Sequence, residues 1–130
     1  MTRGIIVTTK KYLYHITPLK HLDNIFKYGL LPYPTHGKRF GPLSPELYTS
    51  NEKIIYFLPD LRTKSTQIFI DEWWHGDIKE AVLLRINTTN GKFYGSEDPY
   101  YQKCELWTYE NILPDMIEFS KQIKQPHWQK

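Results

Sequence analysis

The clearest structural signal in this 130-residue sequence is a change of apolar spacing between Lys11 and Gly29. The first stretch, KYLYHIT, alternates and is rich in aromatic side chains, which is typical of a β-strand. Thr17 and Pro18 then form a helix cap with proline at the first helical position, and the apolar residues that follow recur at helical spacing. Gly29 is placed to end that helix. We therefore predict a strand followed directly by a helix.

The rest of the chain reads as short strands separated by irregular segments. Further strands are predicted at Lys53–Leu58, Glu80–Asn87, Lys103–Tyr109 and Met116–Ile123, with a helix from about Ser65 to Trp74. The nearly continuous apolar run in Glu80–Asn87 favours a central strand. Residues 32–52 and 95–102 are predicted to be loops, and the basic tail 124–130 is predicted to fray. We expect an α+β fold in a single compact domain over residues 1–130.

Composition excludes several classes of protein. Hydrophobic residues make up 40% and charged residues 24%, which excludes a disordered or collagen-like chain. The apolar runs are too short to cross a bilayer, so we expect a cytoplasmic protein with no membrane association. A single cysteine, Cys104, excludes an internal disulfide and a cysteine-based zinc site. The net charge of +3 permits an anionic partner without requiring one.

Three places hold residues that could carry chemistry. His15, in YHIT at 14–17, lies where the first strand meets the helix, and it could bond a ribose hydroxyl or be a satisfied strand histidine. Tyr56 and Phe69 could clamp a planar ring, although the same pattern occurs in ordinary cores. Glu105 stands among apolar residues, so it must face solvent, a partner or a site.

Other kinds of chemistry find little support. The sequence has no glycine-rich phosphate loop, no GxSxG serine and no metal-ligand spacing around Asp71–His75, so no metal is expected. Cys104 has apolar and acidic neighbours, neither of which activates a thiol as a nucleophile, so a thiol enzyme is not expected. Arg39, in the long basic loop, is a candidate for binding a pyrophosphate because a guanidinium matches phosphate oxygens.

Taken in order, these segments resemble the ADP-ribosyltransferase superfamily, in the His–Tyr–Glu branch that includes the PARP and diphtheria-toxin-like enzymes. LYHITPLKHLDNIFKYGLLP at 13–32 is most similar to the start of DarT-type DNA ADP-ribosyltransferase toxins. IYFLPDLRTKSTQIF at 55–69 resembles the PARP-type segment with Ile-Tyr-Phe, Lys-Ser and an aromatic residue. CELWTY at 104–109 resembles the strand that carries the family's glutamate, and ILPDMI at 112–117 resembles the exit from it.

The resemblance implies a fold, a co-substrate and roles for residues. The fold would be a split β-sandwich with a few short helices, and the co-substrate would be NAD. His15 would bond a ribose hydroxyl, and the backbone around Ile16 and Thr17 would hold the carboxamide. Tyr56 and Phe69 would stack on the nicotinamide, and Glu105 would be the catalytic carboxylate that stabilises the developing cation.

The chain departs from the family in three places. Phe69 stands where the second tyrosine is usual, and Lys103 stands where arginine-modifying members carry a glutamate or glutamine. The DarT-type Pro-Arg-Ser-Pro-Met segment is absent, so the resemblance does not imply a DNA base as acceptor.

Loop 95–103 would face the acceptor because it leads into Glu105, and residues 33–52 are predicted to be a lid over the co-substrate.

The resulting expectation is an NAD-dependent ADP-ribosyltransferase that modifies a macromolecular acceptor, protein or nucleic acid. Its small size suits a toxin or a phage effector. The alternative is a catalytically inactive module of the same fold that binds a nucleotide, a nucleic acid or a protein. A transferase acting on RNA 2′-phosphates is a third possibility, against which Glu105 argues because that family uses basic residues in its place.

Overall fold

The structure is a computed structural model that describes residues 4–7, 10–34, 44–48, 52–64, 66–68, 80–123 and 125–130. The strands are β1 (Ile5–Ile6), β2 (Tyr12–Pro18), β3 (Tyr33–Pro34), β4 (Lys53–Phe57), β5 (Ala81–Asn87), β6 (Tyr94–Gly95), β7 (Leu106–Thr108) and β8 (Ile117–Ser120). The α-helices are α1 (Leu22–Tyr28), α2 (Pro45–Tyr48) and α3 (Pro99–Gln102), with 3₁₀ turns at Leu19–His21 and Pro114–Met116.

The described strands form two antiparallel sheets. The larger has the order β1-β6-β7-β4-β3, and the smaller has the order β2-β5-β8. The prediction of a mixed α and β fold with a few short helices is confirmed at this level. β5 is the central strand of the small sheet, as its apolar run predicts, and Val82, Leu83, Leu84 and Ile86 are each 0% exposed.

The main core draws side chains from both sheets. Leu13 and Leu84 of the small sheet belong to the same buried cluster as Ile55, Phe57 and Leu106 of the large sheet. Phe57 meets another core ring edge to face, with 5.5 Å between the ring centroids of Phe57 and Phe93. Burying these apolar surfaces against one another is what favours the pairing of the sheets.

The two sheets are also joined through the backbone, at the residue after β4. Tyr14 of β2 donates from its amide to the Leu58 carbonyl at 3.0 Å, and the Leu58 amide donates to the Tyr14 carbonyl at 2.7 Å. This joint brings β2 beside the end of β4. His15, the next residue of β2, therefore lies where the small sheet meets the large one.

Strand β2, the first strand that the sequence predicts, continues further than expected. Thr17 and Pro18 were expected to begin the helix, but both pair with β5, opposite Val82 and Ala81. The 3₁₀ turn begins only at Leu19, and no side chain caps it. Pairing with β5 outweighs the local capping signal because Thr17 is buried within the sheet. Gly29 does end α1 as predicted, with φ of +83°.

Both predicted loops contain structure. Residues 32–52 include β3 and α2, and residues 95–102 include α3, whose N-cap Asp98 accepts a hydrogen bond from the Tyr100 amide at 2.9 Å. Within the helix predicted from about Ser65 to Trp74, residues 66–68 are helical, and residue 65 and residues 69–74 lie outside the described residues.

The C-terminal tail is paired, which makes the prediction of fraying wrong. Phe119 of β8 and Gln129 exchange two backbone hydrogen bonds of 2.8 Å each. The guanidinium carbon of Arg85 lies 4.6 Å from the Trp128 ring centroid and 4.4 Å from that of Tyr12. The tail is therefore held by backbone pairing and by cation–π stacking on the outer face of the small sheet.

Candidate functional site

His15 reaches from the small sheet to the backbone of the large one. Its Nδ1 lies 2.9 Å from the carbonyl oxygen of Tyr56 on β4, and its ring meets Phe57 edge to face with centroids 6.0 Å apart. A carbonyl oxygen can only accept, so Nδ1 carries the proton there, and in the neutral ring Nε2 is then the acceptor nitrogen. The side chain is 8% exposed, so both packing and a hydrogen bond hold its orientation.

Tyr56 lies close to Glu105, which stands just before the first residue of β7. Tyr56 stands opposite Trp107 in the pairing of β4 with β7, and Glu105 lies two residues before Trp107. Burial raises the pKa of the Tyr56 phenol, and the nearby Tyr33 phenol and Glu105 carboxylate raise it further. Tyr56 is therefore protonated at neutral pH and has a hydroxyl that can donate close to the carboxylate.

Tyr33 is a further residue close to Tyr56 that the sequence analysis missed. It pairs with Ile54 on β4, two residues from Tyr56, so both phenols project on the same side of the sheet. Burial raises the pKa of Tyr33 as well, which keeps the phenol neutral. The signal that could have identified it is the Tyr-Pro pair after the first helix, a short edge-strand pattern inside a segment read as a loop.

Glu105 is buried and bonded to a segment that lies far from it in sequence. It is 5% exposed, and its Oε1 accepts a hydrogen bond of 2.7 Å from the Ser44 amide. Glu105 was predicted to lie within a strand from Lys103 to Tyr109, but β7 begins only at Leu106. Glu105 is therefore the residue just before β7. Ser44 is itself 0% exposed, and its Oγ has no hydrogen-bond partner within the described ranges.

Helix α2 is fastened next to this carboxylate. Glu46 accepts hydrogen bonds from Ser96 Oγ at 2.8 Å and from the Glu97 amide at 2.8 Å. Burial acts to raise the pKa of Glu46, but these hydrogen bonds outweigh it and lower the pKa overall. Leu47 is 1% exposed and packs with Ile54 and Trp107. Residues 44–47 therefore cover the face that carries Tyr56 and Trp107.

The remaining predicted site residues are divided between the described and undescribed parts of the chain. Ile16 lies in a second apolar cluster with Leu58 and Leu83, and Thr17 is buried in β2 at 7% exposure. Arg39 and Phe69 lie outside the described residues, as does most of the predicted lid at 33–52. The described part of the site is thus built from β2, β3, β4, Glu105 just before β7, and residues 44–47.

Cys104 immediately precedes the carboxylate and is also buried. It is 8% exposed, and its Sγ contacts the Tyr100 carbonyl of α3 at 3.4 Å. Within the described ranges, no group of three or more His, Cys, Asp and Glu side chains is arranged to hold a metal ion. No helix in the same ranges is long and apolar enough to span a membrane.

Comparison with known proteins leaves the family open. No protein-family model matches the chain, and no curated protein matches it either. The function of the chain therefore has to be inferred from the geometry of its residues and from their order along the chain.

Proposed function

We propose that the chain is an NAD-dependent ADP-ribosyltransferase of the His–Tyr–Glu type, with an ADP-ribosyltransferase-like split β-sandwich. The observations that support the proposal are two contacts that link three separate strands or strand ends, one between His15 and the Tyr56 backbone and one between the Tyr56 phenol and Glu105. His15 Nδ1 bonds the Tyr56 carbonyl at 2.9 Å, and the Tyr56 phenol is close enough to Glu105 for its pKa to respond to that charge. The two antiparallel sheets joined at Tyr14 and Leu58 are compatible with the proposed fold.

In the proposed reaction the bond between nicotinamide and ribose C1′ breaks, and nicotinamide leaves with the bonding electron pair. Positive charge develops on the ribose, and the nucleophile of the acceptor then bonds C1′ and loses its proton. Glu105 stabilises the developing charge, His15 accepts a hydrogen bond from a ribose hydroxyl through Nε2, and Tyr56 stacks on the nicotinamide. The acceptor is a macromolecule, protein or nucleic acid.

A second candidate is a nucleotide-binding or partner-binding module of the same fold without turnover. The observation that favours it is the bond between Glu105 Oε1 and the Ser44 amide. A carboxylate that is 5% exposed and accepts a hydrogen bond from a backbone amide has a structural partner within the chain, so its burial does not by itself require a reacting ligand. Turnover of NAD separates this candidate from the enzyme.

The test is the release of nicotinamide from NAD by the full chain and by Glu105→Gln. Glutamine keeps the shape and removes the charge, so NAD should bind within a few-fold while release falls about a hundredfold or more. Binding is measured by calorimetry and release by chromatography of the free base. Glu110→Gln is the matched control because Glu110 is an exposed glutamate on the segment after β7.

Each outcome decides between the candidates. Release by the parent chain that is lost in Glu105→Gln and retained in Glu110→Gln supports the transferase. Undiminished release by Glu105→Gln refutes the role of the carboxylate. Tight binding of NAD or ADP-ribose by the parent chain without any release supports the binding module.

A further inference from the structure

A cavity of about 280 Å³ lies next to the first residue of β7, where three parts of the chain converge. The first part follows β1, the second follows β4, and the third runs from α3 into β7. Its lining includes Val7, Lys10, Pro59, Asp60, Lys103 and Leu106. At roughly 30 Å³ per water molecule in the liquid, this space matches an organic molecule of roughly ten non-hydrogen atoms.

The floor of the cavity is apolar and closely packed. Leu106 and Pro59 are buried, and Val7 is partly buried beside them. Gly95 lies beneath this floor: a Cβ there would be 2.8 Å from Leu106 Cδ2 and 3.1 Å from Val7 Cγ2. The absence of a side chain at Gly95 therefore lets these apolar groups converge. A flat apolar body is the kind of ligand that such a floor favours.

The rim carries an excess of positive charge. Lys10 and Lys103 are both exposed, with no carboxylate other than Asp60 among the lining residues. Asp60 is bound by Arg62, whose amide and Nε lie 2.9 Å and 3.2 Å from Oδ1. Hydrogen bonds from Arg62 lower the pKa of Asp60, and the charges of Arg62 and Lys10 lower it further, so the carboxylate stays ionised. Its negative charge is paired with the positive charge of Arg62. The two lysines then leave the rim with a net positive charge.

We propose that this cavity binds a compact organic anion, with its carboxylate or phosphate between Lys10 and Lys103 and its apolar body on Val7, Pro59 and Leu106. Ammonium groups provide the charge-assisted hydrogen bonds that such an anion requires. None of the described residues proposed to bind NAD lines this cavity, so the anion site is a proposal distinct from the NAD site.

The experiment is an NMR titration of the full ¹⁵N-labelled chain with three probes that share one ring. Benzoate and phenyl phosphate carry the two kinds of anion, and benzamide is the neutral control of the same shape. Saturable shifts at the amides of Val7, Gly95, Lys103 and Leu106 are expected for at least one of the anions. Benzamide should bind there at least about tenfold more weakly, since it lacks the charge. Comparing benzoate with phenyl phosphate distinguishes a carboxylate ligand from a phosphate ligand.

Variants test the role of the lysines. Lys10→Gln combined with Lys103→Gln should weaken anion binding about tenfold or more, whereas Lys92→Gln, an exposed lysine outside the lining, should change it less than about twofold. The proposal is overturned if neither anion gives saturable shifts at these amides, if benzamide binds there as well as the tighter-binding anion, or if the double variant binds that anion as well as the parent. None of these results depends on nicotinamide release, so failure here and failure of the proposed enzyme are separate outcomes.

Discussion

His15 illustrates how one residue serves both the fold and the proposed site. Donation from Nδ1 to the Tyr56 carbonyl ties β2 to β4, and the same bond sets which ring nitrogen can accept from a ligand. Replacing the ring removes both functions at once. A binding measurement therefore has to be paired with a stability measurement at this position.

We expect His15→Ala to weaken NAD binding about tenfold or more while the chain remains folded. Loss of the bond to Tyr56 and of packing on Phe57 should lower the free energy of unfolding by about 1–3 kcal/mol, because a buried carbonyl loses its partner. Calorimetry and urea unfolding measure the two effects. His21→Ala, an exposed histidine on the 3₁₀ turn, is the control and should alter neither. Unchanged NAD affinity in His15→Ala would contradict the ligand role.

The raised pKa of the Tyr56 phenol predicts how the stability of the fold changes at alkaline pH. Its pKa in the folded chain is raised above the ordinary value of about 10, chiefly by burial, so the unfolded chain loses this proton first as the pH rises. The contribution to stability is complete below about pH 10 and is lost as the pH rises towards the folded pKa. Tyr56→Phe should therefore show a shallower loss of stability above about pH 10 than the parent, measured by urea unfolding at a series of pH values. An identical pH profile in the variant would rule out this contribution.

At the scale of elements, local capping signals and strand pairing compete, and the chain shows both results. Thr17-Pro18 carries a helix-start signal, yet it pairs with β5. Ser44-Pro45 and Asp98-Pro99 carry the same type of signal inside segments read as loops, and helices begin there. Pairing with a buried neighbour decides the first case. Without such pairing the helices begin at the prolines, and Asp98 caps the second of them by accepting a hydrogen bond from the Tyr100 amide. Sequence patterns alone do not reveal which position has a partner strand.

Glu46 is expected to control how firmly α2 is held. Glu46→Ala removes the acceptor for Ser96 and Glu97, so the amides of Leu47 and Glu97 should exchange with solvent about tenfold faster. Because hydrogen bonds lower the pKa of Glu46, the anchor is complete above the ordinary carboxyl pKa of about 4.3 and weakens as the pH falls below it. Hydrogen exchange read by mass spectrometry measures this effect. Glu80→Ala, an exposed glutamate before β5, is the control, and equal exchange in both variants would contradict the anchor.

For the whole molecule, the mixed class and the central strand could be predicted, while the long-range contacts could not. The apolar run of β5 identifies a buried strand because few other structures hide so many adjacent apolar residues. The bond between Ser44 and Glu105 spans 61 residues, and that between His15 and Tyr56 spans 41. Neither has a local signal, so the sequence predicts only that the Glu105 carboxylate faces solvent, a partner or a site, and it does not identify Ser44. Tyr33 was missed for a different reason, because its Tyr-Pro edge-strand pattern lies inside a segment that is otherwise typical of a loop.

The closing of the C-terminal tail onto the small sheet should contribute measurably to stability. Trp128→Ala removes the stacking on Arg85 and the contact with Tyr14, whose ring centroid is 5.9 Å away. We expect a loss of about 1–2 kcal/mol in the free energy of unfolding, as cation–π and aromatic pairs together imply. Gln125→Ala, at an exposed position of the same tail, is the control for urea unfolding. A tail that is not docked in solution would give the same stability for both variants.

The burial of Cys104 gives the chain a built-in chemical reporter. It is the only cysteine in the sequence, and it is 8% exposed at the residue before Glu105. A thiol reagent can therefore react only when the turn between α3 and β7 opens, and the rate of labelling measures that opening without any substitution. A ligand that holds the turn closed slows the labelling, whether or not it is ever turned over. Ligands of the cavity beside β7, or of the Glu105 carboxylate, can therefore be sought in the unmodified chain by measuring how much each one slows the labelling of Cys104.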